Sequence, residues 1–139
     1  MTYGECKEKI KDLGFEEEST MQEYSSIVKN SVQRALQFLF DGIVMRYKTY
    51  YQHELSTDIT PWTAVRPAPI EDSTLDDRVM ELPDNIVELL PLLASYYVWL
   101  DDDATKAAMY WNAFDAALQD IITTISLNTK ATITGGVRW

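Results

Sequence analysis

Three consecutive aspartates, Asp101, Asp102 and Asp103, stand between two aromatic-rich apolar runs and are the first place to look for a metal or an acid-base pair. A calcium loop needs oxygen ligands spread over about twelve residues, with a glycine at the turn. The residues that follow, ATKAAMYW, offer neither. The aspartates therefore read as a corner between two helices, with Asp102 or Asp103 placed to cap the second, where a carboxylate meets the free amides and positive dipole of a helix start. His53 is the only histidine, which leaves no HExxH pair, no histidine facial triad and no Ser-His-Asp arrangement. At a helix end it reads as a surface or terminus residue. Cys6 is the only cysteine, so neither an internal disulfide framework nor a multi-cysteine zinc site is available, and a reducing compartment fits. Gly135 and Gly136 lack the lysine and helix that a phosphate-binding loop requires, and they read as a flexible joint. Paired carboxylates are plentiful, but acid and base roles need environments that separate their pKa values, and no pattern here marks one. The sequence gives no catalytic, metal or cofactor residues, and a non-enzyme is expected.

Charge narrows the partners. The chain carries 12 Lys and Arg against 22 Asp and Glu, a formal net charge of -10, opposite to what phosphate binding by counterion release requires. The excess is concentrated in residues 71–103, where Glu71, Asp72, Asp76, Asp77, Glu81, Asp84, Glu88 and the three corner aspartates face only Arg78. Such a run is a solvated face, or the wall of a channel that repels a polyanion. The amino terminus alternates charged and apolar residues, and no window approaches the roughly 18 apolar residues of a membrane span, so secretion and membrane insertion are disfavoured and cytoplasmic synthesis is expected.

One ordinary domain accounts for 139 residues. Cys6, Ile10 and Leu13 at helical steps, followed by Gly14 as a left-handed stop, predict a first helix over residues 3–13. Ser19 with Gln22, or Thr20 with Glu23, has capping-box spacing. From there Ile27, Val28, Val32, Ala35, Leu36, Leu39 and Ile43 form one stripe, a second helix that ends near Asp41 or, as favoured, continues to about His53 despite Gly42. Residues 55–83 lose all helical pattern around Pro61, Pro67, Pro69 and Pro83, predicting a long ordered loop or a small hairpin. A third helix is expected to start at Asp84 as its cap and to carry Ile86, Leu89, Leu90, Leu93, Tyr97 and Leu100 inward. Pro91 forces a kink near Val87 or a separate first turn. Ala107, Tyr110, Trp111, Phe114, Leu118, Ile121, Ile122 and Ile125 predict the fourth. The expected fold is all-α: a small bundle of about four helices over residues 1–127, with an extended arm over residues 128–139, whose Thr and Ile favour extended backbone.

Several apolar residues exceed what one core requires. Trp62, Val65 and Ile70 in the loop are candidates for contact with a partner, as are Tyr96 and Trp99, which fall off the main stripe. Val137, Arg138 and Trp139 place anchor residue types at the tip of the arm. The aromatics are not interleaved with cations, so they read as core and interface residues instead of base-stacking ones.

The element order also resembles the small head-tail connector or adaptor proteins of tailed bacteriophages. The residues that carry the likeness are Leu82, Pro83 and Asp84, Tyr96 to Leu100 with the corner aspartates, and the KAxxYWxxFxxAL pattern of Lys106, Ala107, Tyr110, Trp111, Phe114 and Leu118. The second helix extends the likeness over most of the chain, while residues 50–70 match no pattern of the family. The resemblance implies a structural virion protein at the head-tail interface. It implies a homo-oligomeric ring below the portal, commonly of twelve copies, that contacts the portal protein and further neck or tail proteins. DNA would pass through the lumen without specific binding, and no membrane is involved. On that view Glu71, Asp72, Asp76, Asp77 and Glu81 are candidates to face the lumen. The alternative reading is an acidic helical inhibitor, or DNA mimic, that binds a basic partner.

Overall fold

Thr2 starts the first helix as the local sequence dictates: its hydroxyl accepts from the Glu5 amide at 3.1 Å and lies 3.1 Å from the Glu5 carboxylate. This satisfies one of the free amides of α1, Tyr3–Gly14. The computed structural model describes the backbone of residues 1–136, with side chains as far as Asn128. Among these residues the fold is all-α: α2 is Glu18–Glu23, α3 Ser25–Leu39, α4 Lys48–Leu55, α5 Asp84–Val87, α6 Leu90–Trp99 and α7 Ala104–Gly136. A π-helical segment, Phe40–Val44, joins α3 towards α4. The only extended pairing among them is an antiparallel bridge between Thr2 and Val79.

The bundle is organised around α6. Its sequence, LPLLASYYVW, is apolar on every side, as suits a helix covered all round. Helices α3, α7 and α1 pack against it. Leu90, Leu93, Ala94 and Val98 meet Val32, Leu36 and Leu39 of α3 and Phe114 and Leu118 of α7 in one core cluster.

The second expected helix continues past Gly42 to Leu55, but as a broken run. It breaks at Tyr24, whose ring is drawn onto Phe15 and Trp99 and whose hydroxyl donates to Asp102 at 2.8 Å. It widens at Phe40–Val44, where the Met45 amide donates to the Phe40 carbonyl at 3.0 Å and turns Phe40, Ile43 and Val44 into the core together. The expected capping box does not form, because α2 already begins at Glu18 and the Ser19 hydroxyl donates to Glu17.

The third expected helix splits at Glu88 and Leu89 into α5 and α6, with Pro91 in the first turn of α6, where its missing N–H costs no hydrogen bond. Asp84 is not the cap of α5. Pro83 holds that position and its carbonyl accepts from both Ile86 and Val87, leaving Asp84 in the first turn. Gly14 has no left-handed backbone, since no described residue has positive φ. The chain instead leaves α1 extended at Phe15. Ile27, Leu13 and Leu100, expected inside, are exposed at the ends of their stripes.

The extended arm expected over residues 128–139 is corrected as far as the backbone is described, because α7 continues to Gly136. Extending an established helix adds a hydrogen bond for each residue fixed, and no proline intervenes, so the weak helix preference of Thr and Ile is overridden.

Candidate interaction surfaces

The corner aspartates divide their work. Asp103 caps α7, its carboxylate accepting from the Lys106 amide at 3.0 Å while its carbonyl accepts from Ala107. Asp102 accepts from the Tyr24 hydroxyl, tying the corner to the break between α2 and α3. Among the described residues no three His, Cys, Asp or Glu side chains converge as a metal site.

The proline-containing segment is an ordered loop, and its candidate contact residues separate. Trp62 is half-buried, its ring 6.2 Å from that of Tyr51 and its amide donating to the Ser56 hydroxyl at 2.9 Å. Val65 is 65% exposed. Both line an open groove of about 660 Å³ with Leu55, Val79 and Met80. Ile70 turns the other way into the core, and its amide donates to Gln33.

Tyr96 is half-buried between Tyr97 and Trp111, at centroid distances of 5.0 and 5.1 Å. Trp99 is covered within the chain, without any partner protein. Phe15 and Tyr24 lie 5.0 and 5.6 Å from it, and the Lys106 ammonium sits 3.7 Å above its ring while donating to the Gly14 carbonyl at 2.7 Å. The Trp99 indole N–H is enclosed and unpaired. Val137, Arg138 and Trp139 lie outside the described residues.

The acidic candidates do share one surface feature, a segment pinned along α1. The Tyr3 amide donates to the Arg78 carbonyl at 2.8 Å, Gly4 to Asp76 at 2.9 Å, and Met80 to Met1 at 2.9 Å. A Cβ on Gly4 would lie 2.9 Å from that of Asp76, so glycine permits this approach. Two ion pairs add to the attachment, Lys7 to Asp76 and Lys29 to Asp72, both at 2.7 Å. They cross a polar cleft of about 420 Å³ between the segment and α1, α2 and α3. Arg78 donates to the carbonyls of Ala68 and Pro69, holding the segment's other edge. Glu71, Asp77 and Glu81 are exposed and form no ion pair with another described residue.

The strongly displaced titrations belong to the core. Burial pushes the Tyr51 hydroxyl up to about 12, partly offset by its hydrogen bond to Asn85, and burial pushes the Cys6 thiol up to about 12. Both side chains are buried in the core.

Residue spacing missed a different feature. Arg34, on the exposed side of α3, lies 4.3 Å above the Tyr97 ring, and Phe38 meets Phe114 edge-on at 6.1 Å. These are tertiary contacts between helices, and spacing within one helix carries no sign of them. Comparison with protein-family models, curated proteins and solved structures finds no match.

Proposed function

We propose that this chain is a structural subunit of a head-tail connector ring, placed below the portal of a tailed phage and without catalytic function. The supporting observation is the residue pattern that resembles the connector family, carried by the aromatic α6, the aspartate corner and α7 in consecutive order. A rigid acidic segment agrees with a lumen through which DNA passes without adhering, since like charge lowers the local concentration of polyanion. Portal and neck or tail proteins are the partners this reading requires.

The same unpaired carboxylates also suit the second reading, an acidic inhibitor of a basic enzyme, and oligomer size separates the two. Electron microscopy and native mass spectrometry of the purified chain at high concentration should show closed rings of uniform copy number with a central channel. A chain that remains monomeric or dimeric and binds a basic protein tightly at low salt would overturn the ring and favour the inhibitor.

A further inference from the structure

In a chain with a surplus of acid, a cation held by neither a carboxylate nor a carbonyl marks a surface open to a partner. Lys7, Lys9, Lys11, Lys29 and Arg66 are each paired, and Arg78 and Lys106 are bound to carbonyls. Arg34, Arg46 and Lys48 form no ion pair with another described residue, and all three are exposed along the run from α3 to α4. Arg34 and Arg46 instead lie over tyrosine rings, and Phe38, four residues beyond Arg34, and Met45, next to Arg46, are 39% and 41% exposed. This basic and apolar stretch has a counterpart in the same chain: Leu75 and Val79, 70% and 59% exposed, alternate with the unpaired Asp77 and Glu81.

The two surfaces do not meet within one molecule. Lys29 and Gln33 of α3 face the acidic segment. Arg34, five residues beyond Lys29 and about 140° round the helix, faces α6 through Tyr97. Their chemistry is complementary and their positions differ, the condition for a head-to-tail contact that repeats from copy to copy.

We infer that the acidic segment around Leu75, Asp77, Val79 and Glu81 docks on the Arg34, Phe38, Met45 and Arg46 surface of a second copy of this chain. The backbone bonds from Tyr3, Gly4 and Met80 hold the acidic segment in place before contact, so little freedom is lost on docking. Desolvation of Phe38, Met45, Leu75 and Val79 supplies the apolar part, and the charges set orientation. The inference rests on the ring reading for its second copy and names the surfaces through which that copy binds.

The test uses the full chain in two charge-reversed forms, R34E/R46E and D77K/E81K. All four residues are exposed and outside the intramolecular ion pairs, and R34E/R46E gives up only the two arginine contacts with the Tyr97 and Tyr47 rings, so both forms should keep the wild-type helical circular dichroism. In analytical ultracentrifugation the wild type should assemble and each variant alone should sediment as a monomer. An equal mixture of the two should assemble again, with the variants alternating and an even copy number in native mass spectrometry. Variants that assemble as the wild type does, a mixture that stays monomeric, or a wild type that never assembles would each overturn the docking. Rings that persist in both variants would remove this contact and leave the connector reading intact. Open fibres that obey the charge-swap pattern would keep the contact and remove the ring.

Discussion

Gly14 and Gly42 both sit in helical backbone, and the space around them sets opposite expectations for alanine. A Cβ on Gly14 would lie 2.6 Å from the Trp99 indole nitrogen, inside the cluster formed by Phe15, Tyr24 and Lys106, whereas one on Gly42 would meet nothing within 4 Å. Gly14→Ala should therefore destabilise the chain by about 1 to 3 kcal/mol through overpacking. Gly42→Ala should stabilise it by about 0.4 to 1 kcal/mol by restricting the unfolded chain. Urea titration of the two variants checks both signs. Tyr51 gives a pH prediction at the same scale. Its folded pKa, about 12, lies above the ordinary value of 10.0, so the neutral hydroxyl is favoured in the fold. The resulting stability is complete below pH 10 and declines as pH rises from 10 through 12, because the unfolded chain releases this proton first. Tyr51→Phe should have a shallower loss of stability over that range than the wild type, by on the order of 1 to 2 kcal/mol, measured as the urea midpoint against pH. Cys6, raised by burial from 9.0 to about 12, adds a loss beginning near pH 9 in both proteins and so leaves the difference intact.

Among the elements, the corner before α7 is the most directly testable, because one carboxylate holds its start. Asp103→Ala should cost about 0.5 to 2 kcal/mol by freeing the Lys106 amide, while Asp101→Ala, at an exposed position without a cap bond, should be close to neutral; melting temperatures of the two would check this. The corner, the α7 stripe and the separate turn before Pro91 were all legible in the sequence, because capping, 3.6-residue periodicity and the missing proline N–H act locally. The break at Tyr24 was not, since its causes are the rings of Phe15 and Trp99 and the carboxylate of Asp102, all remote in sequence. The helical course of α7 through residues 128–136 was hidden for a different reason: Thr and Ile preferences are weak priors that an established helix overrides. Of the candidate contact residues, Val65 is exposed. Ile70 and Trp99 were claimed by the core and its margin, which spacing alone cannot distinguish from a second interface.

For the whole molecule, a net charge of -10 on one small bundle makes added salt act in opposite directions on folding and on assembly. Within one copy the surplus carboxylates repel, a long-range penalty that falls as the screening length shrinks from about 30 Å at 0.01 M to about 8 Å at 0.15 M. The ion pairs that salt also weakens, such as Lys7 to Asp76 and Lys29 to Asp72, have exposed carboxylates and contribute little each. Relief of repulsion therefore outweighs their loss, and the melting temperature of the R34E/R46E monomer should rise between 0.01 M and 0.15 M sodium chloride. Between copies the acidic segment meets Arg34 and Arg46, so screening removes attraction at the contact itself. At fixed protein concentration, light scattering of the wild type should show a slower approach to assembly as salt rises over the same range, even as each subunit becomes more stable. A melting temperature and an assembly rate that rose together would mean that repulsion between like-charged copies dominates their encounter, and that the charged pairing proposed for Asp77 and Glu81 does not guide it.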